Sequence, residues 1–280
     1  MTHTPTTLIV GASGTVGREL SQRLAERGQR VLRATSQSPG AGQVKLDLVT
    51  RAGLASALDG ADRAFLLAPP GHVNQDELLI PVVEAARAKG LKKVVLMTAM
   101  NVNASDELPL RKAELALIGS GLGWNVIRPN WFMQNFQTFW LHGINADGKI
   151  ALPVGDAKGS FIDARDIAAV AAQLLSNSDF DNQDFDLTGP RALDHHEVAA
   201  ILSRAAGRPI TFDDITPETL LAGLLQAGVP KPYAEFLVTI LGHFKAGHSA
   251  RTTDAVERIT GRAPRTFEQY AQENRQVWVR

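Results

Sequence analysis

Short apolar runs alternate with amphipathic stretches along the first two-thirds of the chain. Runs rich in β-branched and other apolar residues at 7–10, 30–34, 43–46, 63–67, 93–97 and 125–128 read as strands, and 185–187 reads as one more. Helical spacing lies between them. Val16, Leu20 and Leu24 recur ahead of Gly28, which is placed to end that helix in the left-handed conformation. Leu78, Leu79, Val82, Val83 and Ala86 line one face of a second helix, closed by Gly90. Pro81 falls inside it and frees the carbonyl of Glu77, so a kink is expected there. Strand and helix alternating in this way predict βαβ units and an α/β fold on a parallel sheet. A helix at 163–175 precedes the 185–187 strand, and the remainder reads as mainly helical, at 194–206, 217–226, 232–241, 249–261 and from 264 onward.

At the head of the 194–206 helix stands Asp194-His-His-Glu197. Asp194 and Glu197 have the spacing of a capping box, which puts His195 and His196 in an exposed first turn instead of opposite each other. With no cysteine and no His-Glu-x-x-His pattern, no metal site is expected.

The 280 residues suffice for one large domain, or for a domain with an accessory lobe, and can bury a substantial core. Lysine plus arginine balances aspartate plus glutamate at 29 each, and no basic run is present to track phosphates, which argues against nucleic-acid binding. Residues 1–7 lack both a cationic start and an apolar run, and no segment nears the roughly 18 apolar residues of a membrane span. With cysteine absent as well, a soluble cytoplasmic protein is expected, acting on a small molecule without membrane or nucleic-acid partners; a homo-oligomer stays open.

The chemistry begins after the first strand, where Gly11, Gly14 and Gly17 are spaced by three. Gly11 permits a sharp strand-to-helix turn, Gly14 lets backbone approach a phosphate, and Gly17 lets helix pack closely on strand. A dinucleotide pyrophosphate would then sit on unpaired backbone N–H groups at the positive end of the helix, with Ser13, Gly14, Thr15 and Val16 among the residues that bind the cofactor. The plain alternative is a tight turn without ligand. At the end of the second strand, where an NAD-preferring fold places a carboxylate for the ribose, the chain instead offers Arg33, Ser36, Gln37 and Ser38, with Arg18 in the first helix. Donors without a carboxylate favour NADP(H) over NAD(H), although Arg18 and Arg33 also suit a solvated surface.

Further segments follow in order: Leu46-Asp47-Leu48, Phe65-Leu-Leu-Ala-Pro-Pro70, Val94-Val-Leu-Met-Thr98-Ala99, Asn125-Val-Ile-Arg-Pro-Asn-Trp-Phe-Met-Gln-Asn135 and Phe161-Ile-Asp-Ala-Arg-Asp-Ile-Ala168. Together they resemble the NmrA-like atypical short-chain dehydrogenase/reductases over nearly the whole chain, most closely to Asp166. The resemblance implies a Rossmann-type doubly wound parallel sheet with a small, mainly helical C-terminal substrate lobe. It divides the chain into 1–190, with 130–150 contributing to the lobe, and 191–280. It further implies Asp47 and Leu48 at the adenine, Leu67, Ala68 and Pro69 beside the pyrophosphate and adenosine, and Thr98 and Ala99 behind the nicotinamide ribose. Pro129 and Asn130 follow where the chain leaves the sheet near the nicotinamide. The group contains reductases and also regulators that bind a dinucleotide without chemistry, so a redox-sensing regulator is the alternative to an enzyme.

The Tyr-x-x-x-Lys pair of most short-chain dehydrogenases is absent: Tyr233 and Tyr270 are the only tyrosines, and neither has a lysine four residues on. Leu110 stands where isoflavone-reductase-like relatives carry a lysine. Lys112 lies two residues away, about 200° around a helix. It reads either as a solvated lysine or as a cofactor contact. Without a placed acid, hydride transfer suits acceptors that spread the arriving charge: quinones, conjugated iminium ions, cationic dyes and electron-poor alkenes. Trp131, Phe132, Met133, Phe136, Phe139 and Trp140 supply apolar surface; Phe132, Phe136 and Trp140 also fit one buried helix face, whereas Trp131 and Asn135 lie on another. His72 and His142 are candidate proton donors. The segment 242–247, containing Phe244 between two glycines, reads equally as a lid or as an interhelical loop.

Overall fold

The computed structural model describes residues 4–279; the start of the leader stretch, residues 1–3, lies outside them. The chain forms two compact units. The first comprises the chain to Pro129, Ala164–Asp186 and Arg258–Gly261, and the second Asn130–Asp163, Leu187–Glu257 and the chain from Arg262.

The strands are β1 (Thr6–Ile9), β2 (Arg30–Thr35), β3 (Gln43–Lys45), β4 (Arg63–Leu67), β5 (Lys93–Met97), β6 (Gly123–Pro129), β7 (Lys149–Leu152), β8 (Gln183–Leu187) and β9 (Thr211–Asp214). The helices are α1 (Thr15–Glu26), α2 (Leu54–Ala57), α3 (Gln75–Ala88), α4 (Pro109–Ile118), α5 (Leu141–Asp147), α6 (Ala164–Ser176), α7 (His195–Ala206), α8 (Pro217–Gln226), α9 (Lys231–Lys245), α10 (Ala255–Thr260) and α11 (Phe267–Glu273). The seven-stranded sheet runs β3-β2-β1-β4-β5-β6-β8, with β1 to β6 parallel. From β1 the chain proceeds outward to β2 and β3, then returns to build β4, β5 and β6 on the other side. This reversal puts a topological switch point between the carboxyl ends of β1 and β4, where open α/β sheets hold their ligands.

The apolar pattern explains the layers. On one face Leu8, Leu66, Val94, Leu96 and Val126 pack against Leu79, Val82 and Val83 of α3 and Ala113 and Leu117 of α4. Helices α1 and α6 pack together, burying Leu20 and Leu24 of α1. Pro81 sits inside α3, which is helical across it. Gly28 and Gly90 adopt the expected left-handed φ, +71° and +70°, after α1 and α3.

The second unit departs more from expectation. Two short strands, β7 and β9, pair in parallel at positions left unassigned in a lobe expected to be mainly helical; each is four residues, too short to display a period. The 249–261 helix is reduced to α10, because Ser249, Arg251 and Thr253 spend their backbone groups on Ser160 and Thr188 instead. Helix α9 continues to Lys245, four residues past its expected end, so Gly242 is helical and no hinge begins there; burial of Phe244 holds that last turn. The unit's core joins Met133, Phe136, Ile144, Phe161, Val198, Leu202, Phe267 and Tyr270 to Trp278. Trp278 is fully buried, donates its indole N–H to the Phe136 carbonyl (3.2 Å) and accepts from Arg208 at its own carbonyl (2.9 Å).

Candidate cofactor site and aromatic cluster

The glycine turn has the geometry that its spacing predicts. Gly11 has φ +73°, and its carbonyl accepts from the Gly14 N–H at 3.0 Å. Gly14 then starts α1 with extended φ and ψ. A Cβ on Gly17 would lie 2.2 Å from the Gly11 carbonyl oxygen, whereas one on Gly14 would meet that oxygen at 3.2 Å and point to an exposed face. Gly17 is thus demanded by the fold. Gly14 is nearly free of its own chain, and its lack of a side chain clears the approach to the helix end. No side chain caps α1 and its first turn holds no acidic residue, so its first N–H groups remain available to an anion. Ser13 is exposed, Thr15 half-buried and Val16 buried.

At the end of β2 the Arg33 guanidinium is exposed and donates to the carbonyls of Ala41 (2.9 Å) and Gly42 (3.5 Å). Lys45, which the sequence reading passed over, donates to the Ser36 carbonyl and brings a second cation to the same strand end. Ser36, Gln37 and Ser38 are exposed. Asp47 accepts from the N–H groups of Val49 (2.9 Å) and Thr50 (3.1 Å). The Thr50 backbone bond chiefly, helped by Val49 and the nearby Lys45, keeps its carboxyl below the usual aspartate range. It therefore organises the 47–50 turn. Leu48, Leu67, Ala68 and Pro69 are half-buried, and Leu67 packs where a Cβ on Gly11 would fall.

Thr98, at the end of β5, is the best-connected of the anticipated residues. Its N–H donates to the Ile127 carbonyl (2.9 Å) and its hydroxyl donates to Glu114 Oε1 (2.6 Å). Glu114 is fully buried on α4 and accepts two parallel bonds from Arg128, both 2.8 Å, and one from Arg111, 2.9 Å. Arg128 also bonds Asp184 at 2.7 Å and lies 3.6 Å from Asp186. Burial opposes the Arg128 charge, but these carboxylates outweigh it and push its pKa upward. The sequence reading missed Glu114. Its signal was a carboxylate beside the core positions Ala113 and Leu117, facing an arginine inside an apolar strand. Ala99 is half-buried next to Thr98, and Pro129 accepts from Met100 N–H at 3.1 Å.

The proton-donor candidates are less engaged. Leu110 packs against the sheet core, while Lys112 has a side chain 43% exposed and pairs with exposed Glu107 at 3.2 Å. The two residues diverge as a 200° turn requires. His72 is half-buried, its carbonyl accepting from Gln75; His142 is exposed on α5.

In the second unit Trp131 stacks on Trp140 (6.2 Å between centroids) and meets Phe244 edge-on (5.8 Å). A 3₁₀ turn at Met133–Gln137 precedes α5, so Phe132, Phe136 and Trp140 do not line one continuous α-helix; Phe136 is fully buried, Phe132 and Trp140 partly. Asn135 is half-buried and Phe139 is 69% exposed. Asn130 is committed inward: its amide N–H groups go to Ser160 Oγ (2.6 Å) and the Ser249 carbonyl (2.8 Å), and its oxygen accepts from Trp131 N–H. The capping box at Asp194 forms, but His195 is 1% exposed instead of lying in an open turn. It shares the inward face with Val198, Ala199 and Leu202 at spacings of three, four and seven, a periodicity that outranks the polarity of the residue. Five rings surround it at 5.3–6.1 Å, those of Phe136, Trp140, Phe161, Phe212 and Phe244, and neither ring nitrogen has a hydrogen-bond partner. Burial depresses its pKa to about 3.

The model of the NmrA-like family matches residues 3–271. The chain belongs to that family. It is 34% identical to the NAD(P)H azoreductase of Xenophilus azovorans, over 94% of this chain and 96% of the relative. The (4-alkanoyl-5-oxo-2,5-dihydrofuran-3-yl)methyl phosphate reductase of Streptomyces griseus is 32% identical, over 97% and 99%. Prestalk A differentiation protein A of Dictyostelium discoideum is 30% identical, over 95% and 91%. Among solved structures, triphenylmethane reductase of Citrobacter sp. complexed with NADP(H) superposes with a TM-score of 0.81 at 20% identity, covering 96% of this chain and 99% of that one. Its likeness establishes the NmrA-like fold, a Rossmann-type sheet, for the chain. With its reductase relatives, this NmrA-like chain is an NAD(P)H-dependent oxidoreductase. Among the described residues no helix is long and apolar enough to cross a membrane.

Proposed function

We propose that this oxidoreductase takes hydride from NADPH, in preference to NADH, and delivers it to an activated, apolar or aromatic acceptor: a quinone, a conjugated iminium ion, a cationic dye or an electron-poor alkene. The observation that carries the reading is the face of α4, where Leu110 is packed on the core and Lys112 is drawn to Glu107. An unactivated ketone would leave an alkoxide in need of a placed proton, and α4 offers none. The azo group and the oxo-dihydrofuran of the relatives' substrates belong to the activated kind. Arg33 on β2 and Lys45 of β3, whose ammonium reaches the Ser36 carbonyl just past β2, with no carboxylate in 33–38, support the 2′-phosphate preference. The dinucleotide, when bound, supplies the hydride. Gly11, Gly14 and the first turn of α1 would hold its pyrophosphate.

The test mixes purified protein and NADPH with a panel of quinones, cationic dyes, iminium compounds and electron-poor alkenes while nicotinamide absorbance is followed. Turnover within the panel, with a rate that varies little between pH 6.5 and 8, is the expected result. Efficient reduction of a plain aliphatic ketone would refute the acid-free mechanism.

A further inference from the structure

We infer that Glu114 is a positioning residue that fixes the Thr98 hydroxyl as a hydrogen-bond acceptor toward the ligand, so that the cofactor must present a donor there. The inference rests on the reading that a nicotinamide dinucleotide lies over the carboxyl ends of the strands, and it adds a polarity to that site. A threonine hydroxyl has one proton and two lone pairs. The proton of Thr98 goes to Glu114 Oε1 at 2.6 Å. It has no rival use for that proton, because a carboxylate held by arginines is an acceptor only. Arg128 occupies both oxygens at 2.8 Å and Arg111 adds a third contact at 2.9 Å, so Glu114 can neither rotate away nor offer a proton in return. The Thr98 backbone is fixed too, since its N–H is bonded to the Ile127 carbonyl. What remains on the hydroxyl is lone pairs.

Of the groups along a nicotinamide dinucleotide, ribose hydroxyls and the carboxamide nitrogen can donate to those lone pairs, whereas phosphate oxygens only accept. Thr98 therefore suits the hydroxyl-bearing ribose on the nicotinamide side and disfavours a slipped register that brings a phosphate to the end of β5. Glu114, four residues from Leu110 on α4, thus acts on the cofactor through another side chain and touches neither cofactor nor substrate.

The experiment measures dissociation constants of NADPH and of adenosine 2′,5′-bisphosphate, which carries the adenosine half and no nicotinamide ribose. Thr98→Val removes the hydroxyl with little change of shape and should weaken NADPH about tenfold while leaving the bisphosphate within about twofold. Thr98→Ser should restore NADPH binding. In Glu114→Gln the amide nitrogen settles toward Thr98, because that position faces one arginine donor, Arg128 Nε, whereas the other faces two, and none of them can reverse; Thr98 must then accept from the amide and turn its proton outward. That variant should lose about as much NADPH affinity as Thr98→Val, and the double variant no more than either alone. Glu114→Asp keeps the charge beside Arg128 but withdraws the acceptor from Thr98, and serves as the second probe with the same expected loss where Glu114→Gln does not fold. Unchanged NADPH affinity in Thr98→Val, equal losses for both ligands, or additive losses in the double variant would each overturn the inference. Wild-type protein that binds neither ligand would instead overturn the dinucleotide reading itself.

Discussion

Acid should destabilise the second unit through one side chain, His195. In the folded chain it is held neutral by burial among five rings, with its pKa near 3, while in the unfolded chain it titrates near its ordinary 6.5. The unfolded state therefore takes up a proton first as pH falls. Stability is complete above about pH 6.5 and is lost progressively between 6.5 and about 3, at up to about 1.4 kcal/mol per pH unit. The loss amounts to about 2 kcal/mol at pH 5, which corresponds to about 5 °C in Tm. The carboxylates whose pKa values are depressed, Asp47, Glu197 and Glu218, titrate below their ordinary range and do not contribute in the window from 6.5 to 5. Tryptophan fluorescence during urea or thermal unfolding is the natural probe, since Trp131, Trp140 and Trp278 belong to the second unit and only Trp124 to the first. His195→Phe, which keeps an aromatic ring in the cage and removes the titration, should flatten the dependence between pH 6.5 and 5. Parallel curves for wild type and variant would refute the argument, because every other histidine is common to both.

Gly17→Ala should fail to fold or lose several kcal/mol, since its Cβ falls 2.2 Å from a carbonyl oxygen, whereas Gly14→Val should fold and lose dinucleotide binding; circular dichroism and NADPH titration separate the two. Arg33→Ala should weaken NADPH by about tenfold and leave NADH nearly unchanged, and calorimetry with both cofactors checks it. Lys112→Ala, which removes only an exposed ion pair, should retain most activity in steady-state assays; a loss of about 100-fold would reveal a general acid on α4.

The parallel sheet was legible because its strands are continuous apolar runs and its helices are punctuated by glycines, two signals that are local in sequence. The glycine turn was legible for the same reason, and the close approach of Gly17 to Gly11 is what its spacing implies. What stayed hidden depends on partners far along the chain. Glu114 meets Arg128 across 14 residues and Asp184 joins them from 56 away, so neither helix nor strand announces the cluster. Asn130 shows the converse: a residue marked by its place at the end of a strand has its side-chain hydrogen bonds directed to Ser160, Ser249 and Trp131 N–H. His195 was misplaced because the capping box, which does form, was taken to leave the whole first turn open, although position 195 shares the period of Val198, Ala199 and Leu202; β7 and β9 were missed because four residues carry too little pattern.

The docking of Trp278 sets a timetable for biosynthesis. Its indole reaches the Phe136 carbonyl across 142 residues of chain. At about 5–20 residues per second, translation takes roughly 7–28 s to cover that distance, during which Phe136, Trp140 and their neighbours have no complete core to enter. The growing chain thus displays aromatic surface of the kind that chaperones hold and aggregates recruit. Transcripts broken upstream of codon 278 would yield products in which the seven-stranded sheet is complete while the second unit lacks its final wedge. Pulse-labelled truncations ending before and after that codon would differ in protease resistance by this one side chain's arrival.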